Sequence, residues 1–136
     1  MMIIFNKYDV VFGYFPERNG SAQSGSRPGI VIQNDVGNRY SPTLIVIPLT
    51  SKLKNLNQAT HLFIRHDQEN GLRADSVLLA EQIITVDKKS VKKIGHISNR
   101  NLQKSIFRCF IYSAAYGEND DDLKEIQICW KGVKHE

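Results

Sequence analysis

The stretch TLIVIPL at residues 43–49 gives the strongest strand signal in the chain. A second run, GIVIQ at residues 29–33, is continuously apolar, as is typical of a strand buried on both faces. The other predicted strands are residues 8–15 (YDVVFGYF), 60–65 (THLFIR), 76–79 (SVLL), 82–86 (QIITV) and 94–97 (IGHI). The predicted connections are loops at residues 17–26 and 34–42, rich in Gly, Ser and Asn, and a short helical turn at residues 87–90.

The hydrophobic period changes near the end of this strand-rich region. Apolar residues then recur at spacings of three and four, which predicts an amphipathic helix over residues 99–116. Ser98 is the predicted N-cap, and Gly117 is predicted to end the helix. Several short strands followed by one helix predict a mostly β fold: a small, mostly antiparallel barrel or half-barrel with a C-terminal helix covering one open end.

Composition narrows the class of protein. The chain has 136 residues, which favours a single domain, and no apolar run approaches the length of a membrane span. The apolar start at residues 1–5 lacks a basic leader, and two cysteines are too few for a disulfide framework, so we expect a reduced cytoplasm and no membrane. The net charge of +4 divides into +7 on residues 1–116 and −3 on residues 117–136. We therefore expect one domain over residues 1–116, with an acidic extension that packs on it or trails from it.

The basic part of the chain carries one candidate anion site. The segment GSAQSGSRP at residues 20–28 ends in Arg27, and PLTS at residues 48–51 ends the strongest strand with two hydroxyl groups. A glycine-rich backbone approaches phosphate closely, and a guanidinium binds two of its oxygens at once. If the two strands are neighbours, Arg27 and Thr50 share one end of the sheet; otherwise they are an ordinary edge charge and a turn residue.

Other catalytic motifs are missing from the sequence. It contains no phosphate-binding loop, nucleophile elbow or zinc-protease motif, and no cofactor or metal is expected. The four histidines are scattered, so a histidine pair for RNA cleavage would need tertiary proximity, and ordinary strand positions are the preferred interpretation. They are His61, His66, His96 and His135.

The sequence resembles the MazF/PemK family of bacterial toxins over residues 8–116, and the matching segments follow the order that they have in the family. GSAQSGSRP is close to the family pattern GSEQxGxRP. The other matching segments are GIVIQND, SPTLIVIPLTS, THLFI, GLRADSVLLAEQI, TVDKKSV and IGHI. Two departures are Ala22, where the family usually has glutamate, and Ile84, where arginine is common.

The resemblance implies an SH3-like barrel that acts as a homodimer. It also implies a metal-independent endoribonuclease that cleaves single-stranded RNA by attack of a ribose 2′-hydroxyl, leaving a 2′,3′-cyclic phosphate and a 5′-hydroxyl. The family's catalytic arginine and threonine fall on Arg27 and Thr50, and a cognate antitoxin would be the protein partner. The residues expected to bind RNA are Phe15, Ser21, Gln23, Ser51, Glu81 and Gln82.

Two other functions remain open at this point. A toxin of the same fold, similar to CcdB, would inhibit a protein target such as DNA gyrase without cutting RNA. The second alternative is a protein that binds RNA but no longer cleaves it, which the departures at Ala22 and Ile84 suggest. The acidic segment after residue 117 is most simply a solvated turn, and a bolder hypothesis is that it mimics phosphate and shields the basic face.

Overall fold

The computed structural model describes residues 3–15, 25–53, 55–115, 119, 121–122 and 124–126. Predictions for Ser21, Gln23, Ala22, Gly117 and most of the acidic extension lie outside these residues. The strands are β1 (Asp9–Phe15), β2 (Gly25–Val31), β3 (Thr43–Thr50), β4 (His61–Ile64), β5 (Ser76–Leu79), β6 (Ile84–Asp87) and β7 (Val91–His96). The helices are α1 (Asp35–Tyr40) and α2 (Arg100–Ala115), with 3₁₀ turns at Ala80–Gln82 and Lys88–Ser90.

The described strands form one antiparallel sheet in the order β4-β5-β3-β2-β1-β7. Strand β3 lies at its centre and has three partners: β2, then β6 along its first half and β5 at its end. A strand that changes partners along its length curls the sheet, which agrees with the predicted small barrel-like fold. The mostly β prediction is confirmed.

Buried apolar side chains form two clusters on the two faces of the curled sheet. Val10 belongs to one cluster and the next residue, Val11, to the other, since successive strand residues point to opposite faces. Helix α2 covers the first cluster with Ile106 and Cys109. Each fully buried aliphatic side chain contributes about 1.5–3 kcal/mol to folding, so the helix is held mainly by this packing.

Two local predictions were wrong. The predicted loop at residues 34–42 contains α1, because the Asn34 side chain accepts a hydrogen bond from the Gly37 N–H at 2.8 Å and caps the helix. The N-cap of α2 is Asn99 rather than Ser98: Asn99 Oδ1 accepts from the Leu102 N–H at 2.9 Å. Ser98 instead donates its hydroxyl to Glu69 at 2.6 Å.

Smaller differences concern element bounds. The predicted strand at residues 82–86 begins as a 3₁₀ turn and becomes β6 only at Ile84. The short helical turn expected at residues 87–90 is present as the second 3₁₀ turn. Of the helices in the described part of the chain, none is both long and apolar enough to cross a membrane.

Candidate functional site

A groove of about 590 Å³ opens where β2 and β3 meet the segment before β5. Its wall is built from five separate parts of the chain, including strands β1 and β7. The lining residues are Phe12, Ser26, Arg27, Pro28, Leu49, Thr50, Ser51, Lys52, Gly71, Leu72, Arg73, Ala74, Ser76, Lys92 and Ile94.

Strand register brings Arg27 and Thr50 to the same end of the sheet. Strands β2 and β3 pair antiparallel with Gly29 opposite Pro48. Continuing this register by two residues places Arg27 of β2 opposite Thr50 of β3, and both residues line the groove. The two residues singled out in the sequence therefore face one cavity, although 23 positions separate them in the chain.

The Thr50 hydroxyl is fixed before any ligand arrives. Thr50 is only 5% exposed, and its Oγ1 accepts a hydrogen bond from the Lys52 N–H at 3.2 Å. On its other side the backbone pairs with Val77 of β5. Because Oγ1 already accepts from a backbone amide, its own proton is the part that can be donated to an acceptor in the groove.

The groove is cationic. Arg27, Lys52, Arg73 and Lys92 line it, and the described lining residues include no Asp, Glu or His. Partial burial lowers the pKa of Arg27 below its ordinary value, since loss of water disfavours the charged form. An arginine nevertheless stays protonated near neutral pH, so the groove presents a concentrated positive field to an anion.

Arg73 and Lys92 are groove residues that sequence reasoning missed. Lys92 reaches the groove because β7 pairs with β1, where Phe12 lies opposite Lys92. Arg73 is carried there by a tight turn at Gly71, whose φ is +68°. A Cβ at that position would lie 2.1 Å from the Ile94 carbonyl oxygen, so only glycine fits. The Asn70-Gly71 turn was visible in the sequence, but the side chains that it delivers to the groove were not.

The structure contradicts the expectation that Phe15 stacks on RNA bases. Phe15 is 2% exposed and belongs to the second core cluster with Val11, because alternate residues of β1 share a face. Phe12 lies on the opposite face, lines the groove and is 40% exposed. The mainly apolar run YDVVFGYF hides this difference, since nearly every position in it suits a core.

The other predicted binding residues divide into two groups. Ser51 lines the groove beside Thr50, whereas Glu81 and Gln82 are not among its lining residues. The Glu81 carboxylate accepts hydrogen bonds from Thr60 Oγ1 at 3.0 Å and from His61 Nε2 at 3.1 Å. Burial raises the pKa of Glu81, but these hydrogen bonds outweigh it and hold the pKa below the ordinary value.

The histidines in the described part of the chain each pair with a carboxylate. His61 contacts Glu81, His66 contacts Asp75 at 2.6 Å, and His96 contacts Asp9 at 2.7 Å. No hydrogen bond joins two of these three histidines, so among the described residues nothing supports the histidine pair considered for RNA cleavage, and His135 lies outside those residues. Among the described residues, no group of three or more His, Cys, Asp or Glu side chains is arranged to hold a metal ion.

The sequence of the chain is similar to those of known proteins over most of its length. Residues 6–106 match the family model described as PemK-like, MazF-like toxin of type II toxin-antitoxin system. Endoribonuclease EndoA of Bacillus subtilis is 41% identical over 103 residues, which cover 75% of this chain and 88% of that protein. Endoribonuclease MazF of Staphylococcus saprophyticus is 39% identical over 97 residues, covering 71% and 80%.

Solved structures share the fold at lower sequence identity. MazF from Deinococcus radiodurans has a TM-score of 0.67 at 15% identity, covering 81% of this chain and 96% of that one. A mycobacterial endoribonuclease in complex with its cognate antitoxin has a TM-score of 0.64 at 15% identity, covering 84% and 98%. These likenesses show that the curled sheet with its C-terminal helix is the fold of MazF toxins.

Proposed function

The chain belongs to the PemK-like, MazF-like family of toxins, and we propose that it is an endoribonuclease toxin that cleaves single-stranded RNA in the groove holding Arg27 and Thr50. One observation carries the proposal: a buried, oriented hydroxyl and an arginine face the same cationic groove. The two curated relatives are both named endoribonucleases, which supports the same reaction class.

The reaction is an internal transfer of the phosphoryl group. The 2′-oxygen of one ribose attacks the adjacent phosphorus, the bond from phosphorus to the 5′-oxygen breaks, and a 2′,3′-cyclic phosphate and a 5′-hydroxyl result. The 2′-hydroxyl gives its proton to water, and the departing 5′-oxygen takes a proton from water, so the proton count is unchanged. DNA lacks the nucleophile, so this mechanism acts on RNA.

Negative charge grows on the phosphoryl oxygens as the new bond forms. Arg27 stabilises that charge by donating to the oxygens, and the Thr50 hydroxyl donates a further hydrogen bond. Lys52, Arg73 and Lys92 hold the neighbouring phosphates, and the exposed ring of Phe12 supports an unstacked base. Ser21 and Gln23 remain proposed contacts to the bases. Cleavage without a metal fits a groove whose described lining offers cations and hydroxyls rather than carboxylates.

The proposed partners follow from the same chemistry. A cognate antitoxin carrying an acidic segment would occupy the cationic groove and exclude RNA from it. The toxin acts as a homodimer in the bacterial cytoplasm, as the resemblance to the MazF/PemK family implies.

A cleavage assay tests the proposal directly. Purified protein is incubated with a long transcript in EDTA, and the new ends are mapped. We expect 5′-hydroxyl ends at a short recurring sequence, and Arg27→Ala should lower the rate about 10²–10³-fold, as loss of a charge-stabilising donor does. Absence of cleavage, or cleavage that EDTA abolishes, would contradict it. Inhibition of gyrase supercoiling without RNA cleavage would favour the CcdB-like alternative instead.

A further inference from the structure

A second basic surface lies outside the groove, on the exposed side of α2. Arg100, Lys104 and Arg108 follow one another at spacings of four and so form one stripe along the helix. Lys7, just before β1, lies beside the stripe, and together they border a shallow depression of about 460 Å³. We call these four cations the α2 ridge.

No ion pair joins the ridge to a carboxylate among the described residues. The Arg100 guanidinium donates to the amide oxygen of Gln103, at 2.9 Å. Asp35 accepts from the Lys7 backbone N–H at 2.8 Å. Burial lowers the pKa of the Lys7 ammonium, and the charge of Asp35 raises that pKa by less. Like charges at spacings of four destabilise a helix, so the arrangement favours an external anion.

Aromatic rings lie among these charges. The Lys7 ammonium is 4.2 Å from the centroid of the Phe107 ring and 5.3 Å from that of Tyr8. Tyr8 has a φ of +72°, a strained value for a residue with a side chain. Two backbone hydrogen bonds hold it there: its N–H donates to Val31 O at 2.7 Å, and its carbonyl accepts from Ile97 N at 3.0 Å. These hydrogen bonds hold the backbone of Tyr8, whose ring borders the depression.

The ridge and the groove lie along the same strand. Tyr8 directly precedes β1, and Phe12 of the groove lies three residues after Asp9, about 10 Å further along at the usual rise per strand residue. Strand β7 runs beside β1 from Lys92 in the groove towards His96, and α2 begins four residues later. A single strand of RNA that leaves the groove along β1 therefore passes the ridge.

We propose that the α2 ridge is a second RNA-binding site, which holds the phosphates of nucleotides flanking the cleaved bond. This inference rests on the proposed ribonuclease function. Cations with aromatic rings beside them bind single-stranded nucleic acid. Here the ridge cations form no ion pair with a described carboxylate, and the Tyr8 and Phe107 rings beside them are partly buried against the core. An acidic protein segment would use the charges but not the rings, and it is treated as an alternative outcome of the test.

The test compares two variants that remove the same charge from exposed positions. K104Q/R108Q changes the ridge, and R39Q/K89Q is the matched control on α1 and the second 3₁₀ turn. Glutamine is a good helix former, so α2 should be retained. The probe is a 30-nucleotide single-stranded RNA with 2′-O-methyl groups, which binds but is not cleaved. Its dissociation constant is measured at several salt concentrations.

Each phosphate contact on a single strand makes the negative slope of log affinity against log salt steeper by about 0.7. We therefore expect K104Q/R108Q to make this slope shallower by about 1.4 and to weaken binding about 25-fold at about 0.1 M salt. R39Q/K89Q should leave the slope unchanged. Lys7→Gln lies off the helix and should weaken binding about fivefold, which keeps the test valid if the double variant misfolds.

On unmodified RNA, the ridge variant should raise KM and leave kcat unchanged, because the groove residues are intact. Equal affinities and slopes for K104Q/R108Q and R39Q/K89Q would overturn the proposal. It would also be overturned if the ridge variant lost binding of a polyglutamate peptide but kept that of RNA, since the surface would then serve an acidic protein. If the unaltered chain cleaved no RNA, the ribonuclease function would fail, whereas the binding arm would still report on the ridge.

Discussion

Replacement of Thr50 by valine separates the chemistry of the groove from its architecture. Valine keeps nearly the same shape but has no hydroxyl, so it removes both the proton aimed into the groove and the acceptor for the Lys52 N–H. If the hydroxyl donates to the phosphoryl oxygens during cleavage, its loss should lower kcat about 10²–10³-fold, or about 3–4 kcal/mol of transition-state stabilisation.

The structural cost of the same change is much smaller. The lost hydrogen bond to Lys52 is worth about 0.5–1.5 kcal/mol, and water can replace it because Lys52 is exposed. For a chain of this size, a loss of about 1 kcal/mol lowers the Tm by about 4 °C. An assay at 25 °C therefore compares folded proteins, and the fall in rate reports on chemistry.

Single-turnover cleavage of a defined RNA is the measurement, with thermal unfolding followed in parallel. Thr50→Ser keeps the hydroxyl and should stay within about tenfold of the unaltered chain, a small loss beside that of a missing charge-stabilising donor. Thr85→Val is the matched control, an exposed position on β6 that does not line the groove. Equal rates for Thr50→Val and the control would refute the role of the hydroxyl, and so would equally low rates for Thr50→Val and Thr50→Ser.

Three further predictions concern the buried Asp9, the pH dependence of stability at Glu81, and the roles of Phe12 and Phe15. Asp9 is 1% exposed and accepts a hydrogen bond from the Asn6 N–H at 2.7 Å. Asp9→Ala leaves that N–H without its acceptor, whereas the partly exposed Lys93 can be solvated, so the free energy of unfolding should fall by about 1–3 kcal/mol in a urea titration. The pKa of Glu81 is depressed below its ordinary value of 4.5, so its stabilising effect is present above that pH and is lost as the pH falls through the folded-state pKa. Glu81→Gln should therefore lower the Tm at pH 7 and reduce the loss of Tm on acidification. A loss of Tm on acidification equal to that of the unaltered chain would contradict this. Phe12→Ala should weaken RNA binding by about 1–3 kcal/mol with little change in Tm. Phe15→Ala should instead lower the free energy of unfolding by about 3–5 kcal/mol. The reverse pattern in binding and unfolding assays would disprove the assignment of Phe12 to the groove and Phe15 to the core.

Much of the fold was predictable because its signals are local. The run in β3, the change of period before α2 and the order of short strands all follow from neighbouring residues, and the predicted mostly β fold is confirmed. Helix α1 was missed because its six residues carry Gly and Asn, and its stability depends on the Asn34 cap and on Asn38, which bonds to Gln33. Propensity alone favours a turn for such a segment.

The sequence by itself determined the family, the predicted strand and helix pattern, and the two residues, Arg27 and Thr50, on which the proposed chemistry depends. Only the tertiary structure decided that Arg73 and Lys92 join them, that Phe12 rather than Phe15 faces the groove, and that Glu81 is bound to His61 instead. The physical reason is that hydrophobic periodicity records whether a position is buried but not which strand lies beside it. The groove is built from five parts of the chain, and strand pairing sets their order in space.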